Sequence, residues 1–541
     1  VDQGAIAADV CEKCSNGYHL DTSNFVAAEQ GSETLVNTHT TSHQKSASVA
    51  ILENGKYVVV WQSTGQDGSE NGVYGQGFNA DGTKDGDEWF KVNTHTYYSQ
   101  SLPSVAALGG TKFVVAWESE YQDNEFEEVT SGNSKLTVSE SECQTAATAL
   151  GRSWGGGVSW TVSQTGCLRS STTLYYNRAS TGYACSSYPS YNPCIEKKSY
   201  KGVYAQRYNG PNSKVGSEFR VNTYMTSDQK EPSVAALDAG KFVVVWQSLI
   251  QDGSGYGVYA QRYAADGTKD GSEFLVNTQT TNNQRYPSVA ALDAGKFVVA
   301  WESYSQDASN TNGIYAQRFK ADGTKEGSEF LVNTYTASHQ NSPSIAHVGS
   351  GKFVVTWMSY NQVSGSSLND IYAQRFKADG TPEYKADGTT PDEFRVNTVT
   401  SNDQSYSSVA AVGTDKFVVM WGSLNQVSGS SNYDIYGQVY KADGTKDGSE
   451  FLVNEHTTHS QEHPSVAGSA DGKFVVAWES KHDGSDTWDV YSQRYSFRKQ
   501  PIAGSMICTQ CEASLIRVGG DLFSELAVKS CEACRSNEVP N

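Results

Sequence analysis

Apolar runs ending in tryptophan recur along the chain: Tyr57–Trp61, Phe113–Trp117, Phe242–Trp246, Phe297–Trp301, Phe353–Trp357, Phe417–Trp421 and Phe474–Trp478. Each belongs to a unit of about 55 residues, so the repeat governs the whole fold. One unit reads Pro287–Leu292, Lys296–Trp301, Gly313–Phe319 and Ser328–Thr334. That pattern predicts four short strands rich in β-branched and aromatic residues, separated by turn residues. The Phe-Val-Val-x-Trp strand is apolar on both faces, which an antiparallel strand needs only when something packs on each side of its sheet. Four-stranded blades set around an axis meet that need, with Trp61, Trp117, Trp246, Trp301, Trp357, Trp421 and Trp478 as blade core.

The strand order suggests how the blades close. The outer strand appears first at Ser32–Thr38, before any complete unit, and none follows the last third strand at Asp489–Tyr495. The expected fold is therefore an all-β, seven-bladed β-propeller over 32–497, with the N-terminal strand completing the last blade. Such a splice leaves no open edge. The competing architectures are an open solenoid and paired sandwiches; a solenoid would need capping units, and none is visible.

The interval from Trp117 to Trp246 is more than twice the usual one. The excess, 124–200, reads as an insertion in blade two carrying Cys143, Cys167, Cys185 and Cys194. It is too small to build much core and is expected to rely on two internal disulfides, in any of three connectivities. Tails at 1–31 and 498–541 carry Cys11, Cys14, Cys508, Cys511, Cys531 and Cys534. Three disulfides would satisfy these six, although the spacing of the last four also fits a four-thiolate zinc site. Strand closure would bring the two tails together as one cysteine-rich module.

Ten cysteines in clusters outside the blade strands favour an oxidising, extracellular or cell-surface setting. A formal charge of -19 argues against nucleic acid or an anionic membrane as partner, and no stretch resembles a membrane span. The chain starts at Val1 without a hydrophobic leader, which reads as processing or as a segment of something longer. Asn341-Ser-Pro and Asn192-Pro-Cys fail as N-glycan acceptors and no other triplet qualifies, so the surface is expected to be free to pack on copies of itself.

Three resemblances follow from these motifs. The Phe-Val-Val-x-Trp, Tyr-Ala-Gln-Arg and Ser-Glu-Phe-x-Val-Asn-Thr repeats resemble units of large secreted and surface proteins of bacteria and protists. The segment from Leu136 to Tyr188 resembles a small cysteine-containing segment of secreted microalgal proteins, although Glu196 stands where that family has its last cysteine. Cys11-Glu-Lys-Cys14-Ser-Asn-Gly17 looks like the opening of extracellular cysteine-rich repeats. Together they imply a cell-surface or matrix role in a microalga or similar protist.

Repeated polar positions are read first as architecture. Gln44, Gln100, Gln229, Gln284, Gln340, Gln404 and Gln461 precede the inner strand, and Gln76, Gln206, Gln261, Gln317, Gln374, Gln438 and Gln493 lie in the third strand. Filled alike in every unit, they suit buried amides that satisfy loop backbone, with a polar ring for glycan hydroxyls as the alternative. The outer-strand glutamates (Glu33, Glu88, Glu218, Glu273, Glu329, Glu393, Glu450) are expected to pair across strands with Arg207, Arg262, Arg318, Arg375 and Arg494.

The hairpins place Asp81 with Asp85, Asp266 with Asp270, Asp322 with Glu326 and Asp443 with Asp447. Two acids four apart in a glycine turn could hold calcium, but Asp-Gly is also ordinary hairpin vocabulary. Catalytic signals are poor. Gly151-Arg-Ser153-Trp-Gly155 has the spacing of a nucleophile elbow, which requires a strand-turn-helix setting. His39, His43, His95, His339, His456 and His459 decorate one loop type. The expectation is therefore no enzyme and no cofactor. The leading expectation is a structural building block of an extracellular assembly, a helical filament among its forms, that associates with its own copies or with neighbouring units of a larger surface protein. The alternative is a glycan-binding, lectin-like or adhesin module.

Overall fold

The computed structural model describes residues 25–86, 90–122, 126–129, 139–159, 166–170, 172–177, 194–197, 200–307, 310–363, 368–385, 387–427, 432–481 and 486–499. Residues Glu29–Tyr495 form one compact unit, and 1–28 with 496–541 form another, of which only strand residues 25–28 and 496–499 are described. The fold is all-β, and each tryptophan repeat makes its own antiparallel sheet. In repeat three, for instance, Gln229–Ala236, Phe242–Leu249, Tyr256–Tyr263 and Phe274–Leu275 pair in chain order. The last repeat pairs Gln461–Gly468, Lys473–Ser480 and Asp489–Lys499, and Thr34–Leu35 joins it with Thr34 opposite Ser492 and Leu35 opposite Tyr491.

Alternation of side chains along the second strand explains its two apolar faces. Phe242, Val244 and Trp246 pack with Ala106, Val114 and Ala116 of the sheet before, while Val243 and Val245 pack with Val289, Phe297 and Trp301 of the sheet after. Trp246 is wholly buried, and its removal from water contributes on the order of 4–6 kcal/mol before entropy is counted. Val475, Ala477, Val490 and Val36 of the last sheet pack in the same way on Val49, Tyr57 and Trp61 of the first.

Polar links repeat in step with the packing. An arginine of one sheet donates to an Ala carbonyl in the next sheet's hairpin: Arg207 to Ala265 at 2.9 Å, Arg318 to Ala378 at 2.8 Å, Arg375 to Ala442 at 3.0 Å and Arg494 to Ala80 at 2.7 Å. The guanidinium lies on the hairpin glycine. A Cβ at Gly82, itself at φ 88°, would fall 2.4 Å from Nε of Arg494, so no larger residue fits.

Contrary to expectation, Glu218, Glu273, Glu329, Glu393 and Glu450 turn away from these arginines. Their carboxylates accept a backbone N–H from the Asn-Thr turn of the preceding sheet: Thr94 to Glu218 at 2.7 Å, Thr223 to Glu273 at 2.6 Å and Thr334 to Glu393 at 2.6 Å. The register explains the difference. Arg318 stands opposite Glu326, because the ladder slips between Ala316 and Arg318 and leaves Glu329 off it. Glu88 lies outside the described residues.

The insertion leaves between the second and third strands of repeat two and builds its own small sheet from Phe126–Val129, Ser153–Val158, Gly166–Ser170, Thr173–Asn177 and Cys194–Lys197. Helix Glu140–Ala149 opens with a capping box in which Ser139 and Glu142 satisfy each other's backbone N–H. A disulfide joins Cys143 to Cys167, both buried in the insertion's core. Cys11, Cys14, Cys185, Cys508, Cys511, Cys531 and Cys534, and the side chain of Cys194, lie outside the described residues. No helix among the described residues is long and apolar enough to cross a membrane.

Candidate functional site

Inner strands of the repeats share a break. Their ladders skip two residues, at Glu231-Pro232, Tyr286-Pro287 and the equivalent points, and the first of the two takes a positive φ. It is 54° at Ser46, 51° at Leu102, 53° at Glu231, 51° at Tyr286, 52° at Ser342, 54° at Tyr406 and 53° at His463. Non-glycine residues avoid this region, so its recurrence marks a bulge built into the repeat. Proline suits the second place because a bulged residue gives up its ladder N–H.

Six of the seven bulges point their N–H at the preceding sheet, where the residue after the tryptophan receives it. Ser342 donates to Glu302 at 2.6 Å, Tyr286 to Gln247 at 3.0 Å, Leu102 to Gln62 at 3.1 Å, Glu231 to Glu118 at 3.4 Å, and Ser46 to Glu479 at 2.6 Å. Two neighbouring positions depart from this. Tyr406 meets the sulfur of Met358 at 3.2 Å, and the residue facing His463 is Gly422.

The bulges surround an open cavity of about 340 Å³, lined from six inner strands by Ala47, Glu231, Pro232, Tyr286, Ser342, Tyr406, His463 and their neighbours. Here the repeats stop resembling one another, and chemistry gathers. Tyr286 and Tyr406 keep 40% and 44% of their surface exposed. The Tyr406 ring lies 4.1 Å from that of His463, whose Nδ1 is 3.3 Å from Oε2 of Glu479. Burial lowers the His463 pKa, but the Glu479 carboxylate offsets this and leaves it raised. Desolvation first, and the charge of Glu118 second, push Glu231 up to about 7. Glu302 rises to about 7 through burial, against the Ser342 N–H and Arg285. Glu118 is itself held by Lys201 and the Ser101 hydroxyl.

None of these residues stood out in the sequence, because the motif search sought what repeats and this site lies where the repeat varies. The residues singled out there fall elsewhere. Gln229 and Gln340 accept from Trp246 and Trp357 at 3.0 and 2.9 Å and donate to loop carbonyls, as buried amides should. Gln261 and Gln317 donate to carbonyls where their outer strands turn in.

In the hairpins, Asp81, Asp266, Asp322 and Asp443 accept from the backbone and hydroxyl of the threonine two residues on, which holds their carboxyls below the usual range. Their second acids face cations instead: Asp85 meets Lys56, Asp270 meets Lys241 and Arg262, Glu326 meets Lys296 and Arg318, and Asp447 meets Lys416. The two acids of each pair thus serve different partners, and among the described residues no three His, Cys, Asp or Glu side chains gather for a metal. Ser153 opens a strand that follows a helix, the reverse of an elbow's setting.

A carboxylate also recurs at one place on the third strand, drawn from two sequence positions. In repeats one, three and four it is Asp67, Asp252 or Asp307 of the loop, lying where a Cβ on Gly72, Gly257 or Gly313 would meet it at 2.9, 2.4 or 2.7 Å. In repeats five to seven it is Asp370, Asp434 or Asp489 at that glycine's own position, accepting from Asn397, Asn454 or Asn37 at 2.6, 2.8 and 2.7 Å. The amide oxygen of the same asparagine accepts a third-strand N–H, as from Ile435 to Asn454 at 2.7 Å. In repeats five to seven the carboxylate therefore fixes which way the amide faces.

No family model and no curated protein matches the chain. Among solved structures it is similar to a protein of unknown function from Dyadobacter fermentans, at TM-score 0.44 and 8% identity over 87% of this chain and 99% of that one. It is also similar to the NanB sialidase of Streptococcus pneumoniae, at TM-score 0.41 and 9% identity over 72% and 67%, and to an ulvan lyase of a polysaccharide lyase family, at TM-score 0.41 and 9% identity over 86% and 95%. The expectation that the chain is no enzyme is corrected on this finding, since enzymes stand among the structures it resembles. At this level the likeness assigns it neither activity nor substrate.

Proposed function

We propose that the repeats close into a seven-bladed β-propeller and that the mouth of its channel binds a saccharide. Closure is supported by the links that run from the last repeat to the first as they do between neighbours: Ser46 N–H to Glu479, Arg494 to the Ala80 carbonyl, and Val49 N–H to Ser465 Oγ at 3.3 Å.

The binding reading rests on one observation: two exposed tyrosines, Tyr286 and Tyr406, share a cavity with Glu231 and His463. Aromatic rings offer flat apolar faces to the C–H side of a pyranose, and carboxyl, imidazole and backbone N–H groups serve its hydroxyls. The site would lie on rigid first strands, which keeps the ordering cost of binding low. Titration against a panel of oligosaccharides tests the reading. Tyr286→Ala and Tyr406→Ala should each weaken the interaction tenfold or more with the melting temperature little changed. Unchanged affinity in both would remove it.

A catalytic reading of the same mouth is favoured by Glu231, whose carboxyl is pushed up to about 7 by burial and the Glu118 charge and could donate a proton to a departing sugar oxygen. Glu231→Gln should then abolish release of new reducing ends while saccharide still binds. The Cys143–Cys167 disulfide supports an oxidising, extracellular location.

A further inference from the structure

Six of the seven bulge N–H groups have a side-chain acceptor on the preceding sheet, but the quality of that acceptor is uneven. Carboxylate or amide oxygens serve Ser46, Leu102, Glu231, Tyr286 and Ser342. A thioether, a weak acceptor, serves Tyr406. Gly422 offers His463 no side chain at all. These two substitutions are adjacent around the cavity, and they coincide with the Tyr406 and His463 rings. A scaffold position filled with oxygen elsewhere has been vacated beside the aromatic platform.

Nothing in the backbone forced that change. A Cβ built on Gly422 would meet Cδ1 of Tyr433 at 3.6 Å and the Ser405 carbonyl at 3.7 Å, both ordinary contacts, and its φ is not positive. A Cβ is therefore accommodated, and a glutamine of the kind found at Gln62 and Gln247 would supply the missing acceptor. Glycine here leaves a notch in place of the side chain that caps the other six bulge N–H groups, in the sequence position that faces the His463 bulge.

We infer that this notch is the subsite in which an oxygen of the bound saccharide, a hydroxyl or a carbonyl, replaces the absent side-chain acceptor and receives the His463 N–H. The inference rests on the saccharide reading of the channel mouth and names which seam holds the ligand. A rigid N–H at fixed φ discriminates by position, since a ligand that places no oxygen there leaves the donor unpaired in a partly desolvated cleft.

The test is Gly422→Gln, with Gly422→Ala as the control that adds a carbon but no acceptor. Against the same oligosaccharide panel, Gly422→Gln should weaken binding tenfold or more and leave the melting temperature equal or higher, because the amide closes the seam as Gln247 does for Tyr286. Gly422→Ala should stay within about threefold of the parent, as a contact of this kind is small. Hydrogen exchange of the segment around His463 gives a second readout: protection should rise in Gly422→Gln without ligand, and in the parent on adding saccharide. If Gly422→Gln is folded, protects that segment and binds as the parent does, the subsite is refuted while the saccharide reading survives on the tyrosine variants. If the parent binds no saccharide, both fall together. Loss of binding in Gly422→Ala equal to that in Gly422→Gln would assign the effect to bulk rather than to the acceptor and would also overturn the proposal.

Discussion

Trp246 and Trp301 occupy equivalent places but differ in one atom's partner, and that difference predicts unequal responses to the same substitution. The indole N–H of Trp246 donates to Gln229 at 3.0 Å, while Nε1 of Trp301 has no hydrogen-bond partner among the described residues. In repeat four the carbonyl of Gln284 is taken by Asn277 at 3.3 Å, and its amide donates to Thr281 at 3.0 Å. Trp246→Phe would leave the Gln229 oxygen buried and unpaired, at a cost of about 1–3 kcal/mol. Trp301→Phe removes a donor that was already unpaired. Both lose the same ring atoms in cores of the same make, so the cavity cost is common and largely cancels in the comparison. Trp246→Phe should therefore be the less stable variant by about 2 kcal/mol. A chain of this size shifts its melting point by only roughly 1 °C per kcal/mol, so the midpoint of urea unfolding followed by far-ultraviolet circular dichroism is the better measurement. Equal midpoints, or a lower one for Trp301→Phe, would refute the assignment of the bond.

Removal of residues 1–40 takes away the pairing of Thr34 and Leu35 and the buried Val36 and Asn37, and should cause aggregation or a large loss of stability; a truncated chain as stable as the parent would contradict closure. Stability should rise as pH falls from about 8 to 5, because Glu231, Glu302 and Asp434 have folded values of about 7, 7 and 6, above their unfolded ones, and so bind protons more tightly when folded. Below about pH 4 it should fall again as the depressed carboxyls Asp81, Asp266 and Asp322 are protonated, and thermal melts across pH check both limbs. Cys143→Ala with Cys167→Ala opens a closure spanning 24 residues, worth about 3 kcal/mol, and should raise proteolysis within 124–200 while the main unfolding transition stays in place. Light scattering of the oxidised chain at increasing concentration measures the self-association expected of an assembly unit, and a constant monomer mass would end that expectation.

The repeat, the order of its strands and the buried tryptophans were legible in the sequence because each rests on a local pattern that burial on two faces imposes, while the strand ends shifted by up to three residues. So were the inner-strand glutamines, since a polar residue repeated without variation has a duty common to every sheet. The partner of the outer-strand glutamates was not legible. Their place on adjacent strands suggested Arg318 for Glu329, but a bulge that sets three outer-strand residues against Gln317 placed the arginine opposite Glu326 and sent the glutamate to the preceding sheet. The cavity among the bulges was hidden for a different reason. Glu231, Tyr286, Tyr406 and His463 share a structural position but no chemistry, so they look like noise between a conserved glutamine and a serine until the ring of bulges superimposes them.

The exchange of Asp307 with Gly313 for Val363 with Asp370 means that the repeats are not interchangeable modules even where their strands look alike. Joining the second strand and loop of repeat four to the third strand of repeat five would force two carboxylates into one volume, whereas the reciprocal graft would leave none to orient the asparagine. Recombination between neighbouring repeats, by which such arrays lengthen and shuffle, is therefore tolerated within repeats three and four or within five and six and penalised across the boundary between them. The chain carries two dialects of one repeat, and only cuts outside the loop from second to third strand are grammatical in both.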